Sequence, residues 1–170
     1  MVKIRQKTLV LIRHAKSSWS RPELADYDRP LNKRGKRDAP LMGRQLAARQ
    51  VFPVFFISSP AKRARKTAEK IAAELDFPIG RLVYQPDIYH GGRENILQIL
   101  HQIDEQHSTV FLVGHNPAIT GLAESLGSME IDNVPTAGLV GIGFDGKWRD
   151  LGSGIGQTLF FDYPKKFRTK

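Results

Sequence analysis

The 170-residue chain has no cysteine, which excludes a disulfide framework, a thiolate nucleophile and a cysteine-based zinc site. A reducing compartment suits that composition. No apolar run approaches the length of a membrane span. The run that follows the basic stretch Met1–Lys7, Leu9 to Ile12, is too short for the core of a secretion signal. The expectation is a soluble, cytoplasmic protein with no membrane partner. Internal repeats, low-complexity tracts and linker-like stretches are also missing. A hydrophobic fraction of 41% suits one compact core, so residues 1–170 read as a single domain.

Acidic residues are in deficit, 17 Asp+Glu against 26 Lys+Arg, for a formal charge of +9. Such a field attracts anionic partners without naming them. The basic residues are spread over positions 29–37, 62–66 and 165–170. No aromatic interleaving, helix-turn-helix or finger pattern accompanies them, which argues against nucleic acid and for a solvated basic surface. A phosphorylated substrate would use the same field.

Two apolar runs end in the same way. Leu9-Val10-Leu11-Ile12 leads into Arg13-His14, and Val110-Phe111-Leu112-Val113 leads into Gly114-His115-Asn116-Pro117. Neither alternates with polar residues, as expected of strands buried on both faces. Ligands of open α/β sheets bind outside the carboxyl ends of the strands, so these two histidines can converge on one site.

The remaining pattern supplies the frame. A strand over Thr8–Ile12 precedes a polar connection, 13–31, whose length itself suggests function. Asn32 can cap a helix to about Arg49 with Ala39, Met42, Leu46 and Ala47 inward, and Pro40 should kink it or delay its start. Val54–Ile57 reads as a second strand, and Ser59-Pro60 as cap and first position of the next helix. On that helix Ala64, Ala68, Ile71, Ala72 and Leu75 share a face, and Arg65 with Glu69 and Lys70 with Glu74 form exposed pairs. Then come a weak strand at Leu82–Tyr84, a turn-rich stretch over 89–92 and an amphipathic helix ending near His107. Thr109–Val113 is the next strand, and Asn116-Pro117 repeats the cap-plus-proline start. Leu139–Phe144 and Lys147–Leu151 read as a hairpin around Asp145-Gly146, with a last strand at Thr158–Phe161. This alternation gives an α/β fold with a largely parallel sheet and antiparallel additions near the C-terminus.

The strand ends bring together Arg13, His14, Ser58, Ser59, Arg63 and His115, and two helix starts would point free N–H groups at the same edge. Guanidiniums bind phosphoryl oxygens in bidentate geometry. Beside such a site a neutral imidazole can attack phosphorus and form a phosphohistidine intermediate. His14, directly after Arg13, is the candidate nucleophile, and His115 the candidate stabiliser of the transferring group. Two histidines without an acidic partner at ligand spacing, next to two arginines that repel a cation, argue against metal, and no other cofactor is implied.

Together, Arg13-His14-Ala15, Ser59-Pro60 with Arg63, Ala64, Thr67 and Ala68, and Gly114-His115-Asn116-Pro117 resemble the histidine phosphatase superfamily, whose first motif is Arg-His-Gly. The short chain, Arg13-His14-Ala15-Lys16, and Arg29-Pro30-Leu31-Asn32 with Gly35 resemble its SixA-like phosphohistidine phosphatase branch. The resemblance implies a phosphoglycerate mutase-like, three-layer α/β/α sandwich around a mainly parallel mixed sheet. It also implies a nucleophilic His14, a phosphate pocket of Arg13, Arg63 and His115, and no metal. Two departures stand out. Where mutases of the family follow their first motif with Trp-Asn, this chain has Trp19-Ser20, which puts Ser20 in the place of a phosphate-binding asparagine. After the third strand no acidic motif is evident, which leaves His90 and Glu94 as candidate proton donors.

An alkoxide leaving group needs a proton that a protonated imidazole already carries, so the missing acid favours an N–P bond. No long insertion caps the strand ends, so the site should be open to a histidine displayed on another protein. The leading expectation is a metal-independent phosphatase acting on phosphohistidine in a protein. The alternatives are a small-molecule phosphate-ester phosphatase or mutase, and a non-catalytic phosphate- or nucleic-acid-binding module.

Overall fold

The computed structural model describes residues 6–168. Most of the basic N-terminal stretch and the last two residues of the basic tail, Thr169 and Lys170, lie outside the described residues. Strand β1 (Gln6–Arg13) leads through the long connection to α1 (Lys33–Ala48), β2 (Phe55–Ser58) and α2 (Lys62–Glu74). A short β3 (Val83–Tyr84), α3 (Pro86–His90) and α4 (Arg93–His101) follow, then β4 (Thr109–Gly114), α5 (Ala118–Leu126), β5 (Leu139–Asp145) and β6 (Gln157–Asp162).

The strands form one sheet in the order β3-β2-β4-β1-β5-β6. The first four in that order run parallel, whereas β5 pairs antiparallel with both β1 and β6. Unbroken apolar runs make the central strands because every second residue meets a different layer. Leu9, Leu11, Val110 and Leu112 pack with Ile96 and Leu100 of α4 and with Ile119 and Leu122 of α5. Val10, Ile12, Phe111 and Val113 pack with Met42 and Leu46 of α1 and with Ala68 and Ile71 of α2. The result is the three-layer α/β/α sandwich with a mainly parallel mixed sheet, and each aliphatic side chain buried this way contributes about 1.5–3 kcal/mol. No helix among the described residues is long and apolar enough to cross a membrane.

Several local expectations give way to the fold. Asn32 does cap α1, its Oδ1 accepting from Gly35 N–H at 2.8 Å, but the helix neither starts late nor stops at Pro40. The carbonyl that Pro40 leaves without a donor belongs to exposed Lys36, where solvent can reach it. Ser59-Pro60 does not open α2, whose cap is Ala61; Ser59 Oγ accepts from Ala61 N–H at 3.2 Å ahead of the helix and also lies 2.8 Å from His115 Nε2. Glu74 pairs with Arg44 of α1 at 3.2 Å, not with Lys70. The turn-rich stretch contributes to the short helix α3. Helix α4 ends at His101, well before His107, where the Asp104 carboxylate takes the Gln106 N–H in a local turn. The expected Lys147–Leu151 hairpin arm is a single 3-10 turn over Trp148–Asp150, and β5 pairs with β6 instead. Trp148 explains the difference. Fully buried, it donates its indole N–H to the His107 carbonyl (2.8 Å) and its backbone N–H to the Glu105 carboxylate (2.9 Å).

Candidate active site

The carboxyl ends of β1, β2 and β4 meet at His14. Its backbone N–H donates to Gly114 O (3.0 Å), and the next N–H, of Ala15, donates to Thr67 Oγ1 (2.9 Å). Thr67 in turn donates to Arg63 O at 2.7 Å, so α2 positions the nucleophile candidate and Arg63 through one hydroxyl. From the other side Ala137 N–H bonds the Arg13 and His14 carbonyls at 3.0 and 3.1 Å. Two glycines permit the close approach. A Cβ on Gly114 would lie 3.1 Å from Ile119 Cδ1, and one on Gly35 would lie 2.2 Å from Lys16 O, where α1 begins against the 15–31 connection.

Arg13, His14, Arg63 and His115 are thereby brought together. The rings of His14 and His115 are 5.1 Å apart, and His14 is only 8% exposed. His14 Nδ1 lies 2.8 Å from the Ala15 carbonyl, an acceptor, so the ring donates there and keeps its lone pair on Nε2. Burial first, then the positive neighbours His115, Arg63 and Arg13, push the His14 pKa down to about 3. His115 falls to about 4, again by burial and then by Arg63. Both imidazoles are neutral at pH 7. Burial also lowers Arg13. His115 Nε2 lies 2.8 Å from Ser59 Oγ, which already accepts from Ala61 N–H, so the hydroxyl proton is free for the ring. With that hydroxyl donated to Nε2, the ring N–H sits on Nδ1.

Around this centre three buried nitrogens, Arg13 Nε, Arg63 Nε and His115 Nδ1, have no hydrogen-bond partner among the described residues. Buried donors left unpaired cost free energy, and their convergence beside a neutral imidazole suits an oxyanion. Among the described residues no cluster of three His, Cys, Asp or Glu could hold a metal ion.

Other candidates fall outside this group. Ser20 is exposed and its Oγ pairs with Ser18 Oγ at 2.8 Å. His90 is exposed at the end of α3, its ring packed edge-on against Tyr89. The Glu94 side chain is 78% exposed and turned toward Arg93, 3.8 Å away. Ser58 is buried, with its hydroxyl donated to Ser59 O.

Two residues that sequence reasoning missed stand there instead. The 15–31 connection folds back over the strand ends, so the site is less open than the lack of insertions suggests. Asp26 O and Oδ2 accept from Arg63 Nη1 (2.7 Å) and Nη2 (3.0 Å), and Tyr89 donates its hydroxyl to the same Oδ2 at 2.9 Å. Burial opposes the Asp26 charge, but hydrogen bonds from Tyr89, Arg63 and Arg29 hold its pKa at about 2. The one sequence signal for Asp26 is the length of its connection. Tyr89, next to His90, had none.

The family model of the histidine phosphatase superfamily (branch 1) matches residues 9–83. An uncharacterized protein of Mycobacterium tuberculosis is 29% identical over 165 residues, spanning 91% of this chain and 100% of the relative. A solved structure assigned as phosphohistidine phosphatase SixA from Agrobacterium tumefaciens is 26% identical, with a TM-score of 0.78 over 93% of this chain and 98% of that one. A protein histidine phosphatase SixA complexed with tungstate shares the fold, with a TM-score of 0.81 at 21% identity over 95% of this chain and 99% of that one. The chain is thus similar to the histidine phosphatase superfamily (branch 1) over residues 9–83 and shares the fold of these solved structures over nearly its whole length.

Proposed function

We propose that the chain is a metal-independent phosphatase that works through phospho-His14 and acts on phosphohistidine displayed on a protein in the cytoplasm. The observation that carries this reading is the set of three unpaired buried nitrogens, on Arg13, Arg63 and His115, around a neutral His14. In the first step the His14 Nε2 lone pair attacks phosphorus, and the breaking bond returns its electron pair to the leaving nitrogen. Arg13, Arg63 and His115 then share the charge on the equatorial oxygens as it spreads in the transition state. In the second step water attacks phospho-His14, its protons leave on the phosphate, and the neutral ring is restored. The guanidiniums supply the positive charge that a metal would otherwise bring, and would repel one.

The partner in this reading is a phosphohistidine-bearing protein. The likeness to proteins described as phosphohistidine phosphatases favours it, as does the lack of an acid near the leaving group. A small phosphate ester is the second reading. It is favoured by a cleft of about 440 Å³ beside His115, lined by Ile88, Tyr89, Arg93 and Pro117 among others, which is large enough for a metabolite. Rapid acid-free quenching with labelled phosphohistidine protein should trap an acid-labile, base-stable label on His14. A His14→Ala protein with full activity overturns the mechanism. A clear preference for sugar phosphates or nucleotides over phosphohistidine protein overturns the substrate assignment.

A further inference from the structure

Among the described residues, Asp26 is the one carboxylate bonded to any of Arg13, His14, Arg63 and His115. It occupies the Nη1 and Nη2 atoms of Arg63 and leaves the buried Nε–H without a partner. The Arg63 side chain is 7% exposed and that of Asp26 51%, so the carboxylate lies on the solvent side of the guanidinium. Its position is fixed from three directions. Beyond Arg63 and Tyr89, Arg29 Nη2 holds Oδ1 at 3.1 Å, and the Arg29 guanidinium is itself stacked 3.6 Å above the Trp19 ring.

We infer that Asp26 determines specificity, its carboxylate at the mouth of the site selecting a leaving group that carries a positive N–H over one that is neutral or anionic. This role rests on the phosphohistidine reading above. A displayed imidazole, phosphorylated on one nitrogen and protonated on the other, must approach from solvent past this carboxylate. Its free N–H donates to Asp26 in a charge-assisted hydrogen bond, which keeps the bound ring in its protonated, reactive form. As the His14 Nε2 lone pair attacks phosphorus, the old N–P bond breaks, its electron pair returns to the substrate nitrogen, and the ring departs neutral with its proton in place. No acid at the leaving atom is needed. A sugar alkoxide brings no such proton. Asp26, ionised at neutral pH, accepts a proton contact and cannot supply one.

The test compares kcat/KM for phosphoimidazole with that for p-nitrophenyl phosphate, whose phenolate leaves without a proton. Asp26→Asn should lower the phosphoimidazole value about tenfold more than the p-nitrophenyl phosphate value, the scale of one charge-assisted hydrogen bond. Asp26→Glu, which keeps the charge, should recover most of that selectivity. Equal losses on both substrates overturn the role and reduce Asp26 to a support for Arg63. Should Asp26→Asn fail to fold, Tyr89→Phe releases one anchor of the carboxylate while keeping its charge. A selective few-fold loss on phosphoimidazole then supports the role, and an unchanged ratio overturns it. Wild-type protein that turns over p-nitrophenyl phosphate but not phosphoimidazole overturns the proposed function and this role with it, an outcome distinct from equal losses in the variants.

Discussion

The carboxyl ends of the parallel strands and the antiparallel C-terminal edge of the same sheet handle buried polar groups in opposite ways. Around Trp148 every buried group finds a partner. The indole N–H goes to His107 O, the backbone N–H goes to the Glu105 carboxylate, and the ring packs edge-on against Phe144 at 5.1 Å. Around His14, two arginines and a histidine converge with three nitrogens unpaired, and burial pulls both imidazoles far below their usual pKa. Desolvated like charge is destabilising, so this end of the fold costs stability that the packed layers and the C-terminal edge supply. Orphaned atoms alone do not mark the difference. Asp38 Oδ1 and Arg168 Nε are also without hydrogen bonds, but they belong to an ion pair whose charges offset each other. At His14 the unpaired groups all favour an anion.

The comparison breaks if residues of the two regions respond alike. Replacing His14 by Ala should lower turnover of p-nitrophenyl phosphate by about 10³-fold or more while leaving the melting temperature at pH 7 unchanged or raised. Steady-state kinetics and calorimetry on one preparation check both halves of that statement. Trp148→Ala should do the reverse. A loss of about 3–5 kcal/mol in urea unfolding is expected, with activity per folded molecule retained, since the indole fills a fully buried site remote from His14. Arg63→Lys keeps the charge but loses the planar donor set, and turnover should fall about 10²-fold with stability nearly constant.

Acid sharpens the same contrast. His14 and His115 titrate near 3 and 4 in the folded chain, and the unfolded imidazole near 6.5. Between those values the unfolded chain holds protons that the folded chain lacks, so stability rises with pH and is lost as pH falls from about 6.5. Asp26 adds to the loss at lower pH. Its folded value of about 2 lies below the ordinary 3.8, so its contribution is present above 3.8 and disappears as pH falls toward 2. Urea titrations in phosphate-free buffer from pH 7 to pH 4 should show this slope, and His14→Ala should flatten it. Removing the Arg44–Glu74 pair, which belongs to neither region, should change stability by no more than about 0.5 kcal/mol.

Much of the parallel half was legible because its signals are local. Runs such as Leu9–Ile12 and Val110–Val113 are long enough, and apolar enough, to be strands covered on both faces, and each one names the residue at its own end. The C-terminal half was less legible because its partners are distant. Asp145-Gly146 is a good turn dipeptide, but the segment after it is tied to residues 105 and 107 by Trp148, and no pattern within residues 139–151 records that tie. Ser59 misled for a related reason. A serine before proline is a good cap in isolation, and its oxygen does accept from Ala61 N–H, but the same hydroxyl also meets His115 and the helix begins only at Lys62.

The sequence by itself determined the alternating α/β frame, the buried strands and the identities of Arg13, His14, Arg63 and His115, because burial periodicity and strand-end position are properties of contiguous residues. Only the tertiary structure decided that Asp26 and Tyr89 are bonded to one another beside Arg63, while Ser20 turns to Ser18 and Glu94 to Arg93. Asp26 and Arg63 lie on different elements, and their contact forms only when the 15–31 connection closes over the strand ends. Such a pairing follows from how the chain packs in space, which the local order of residues does not encode.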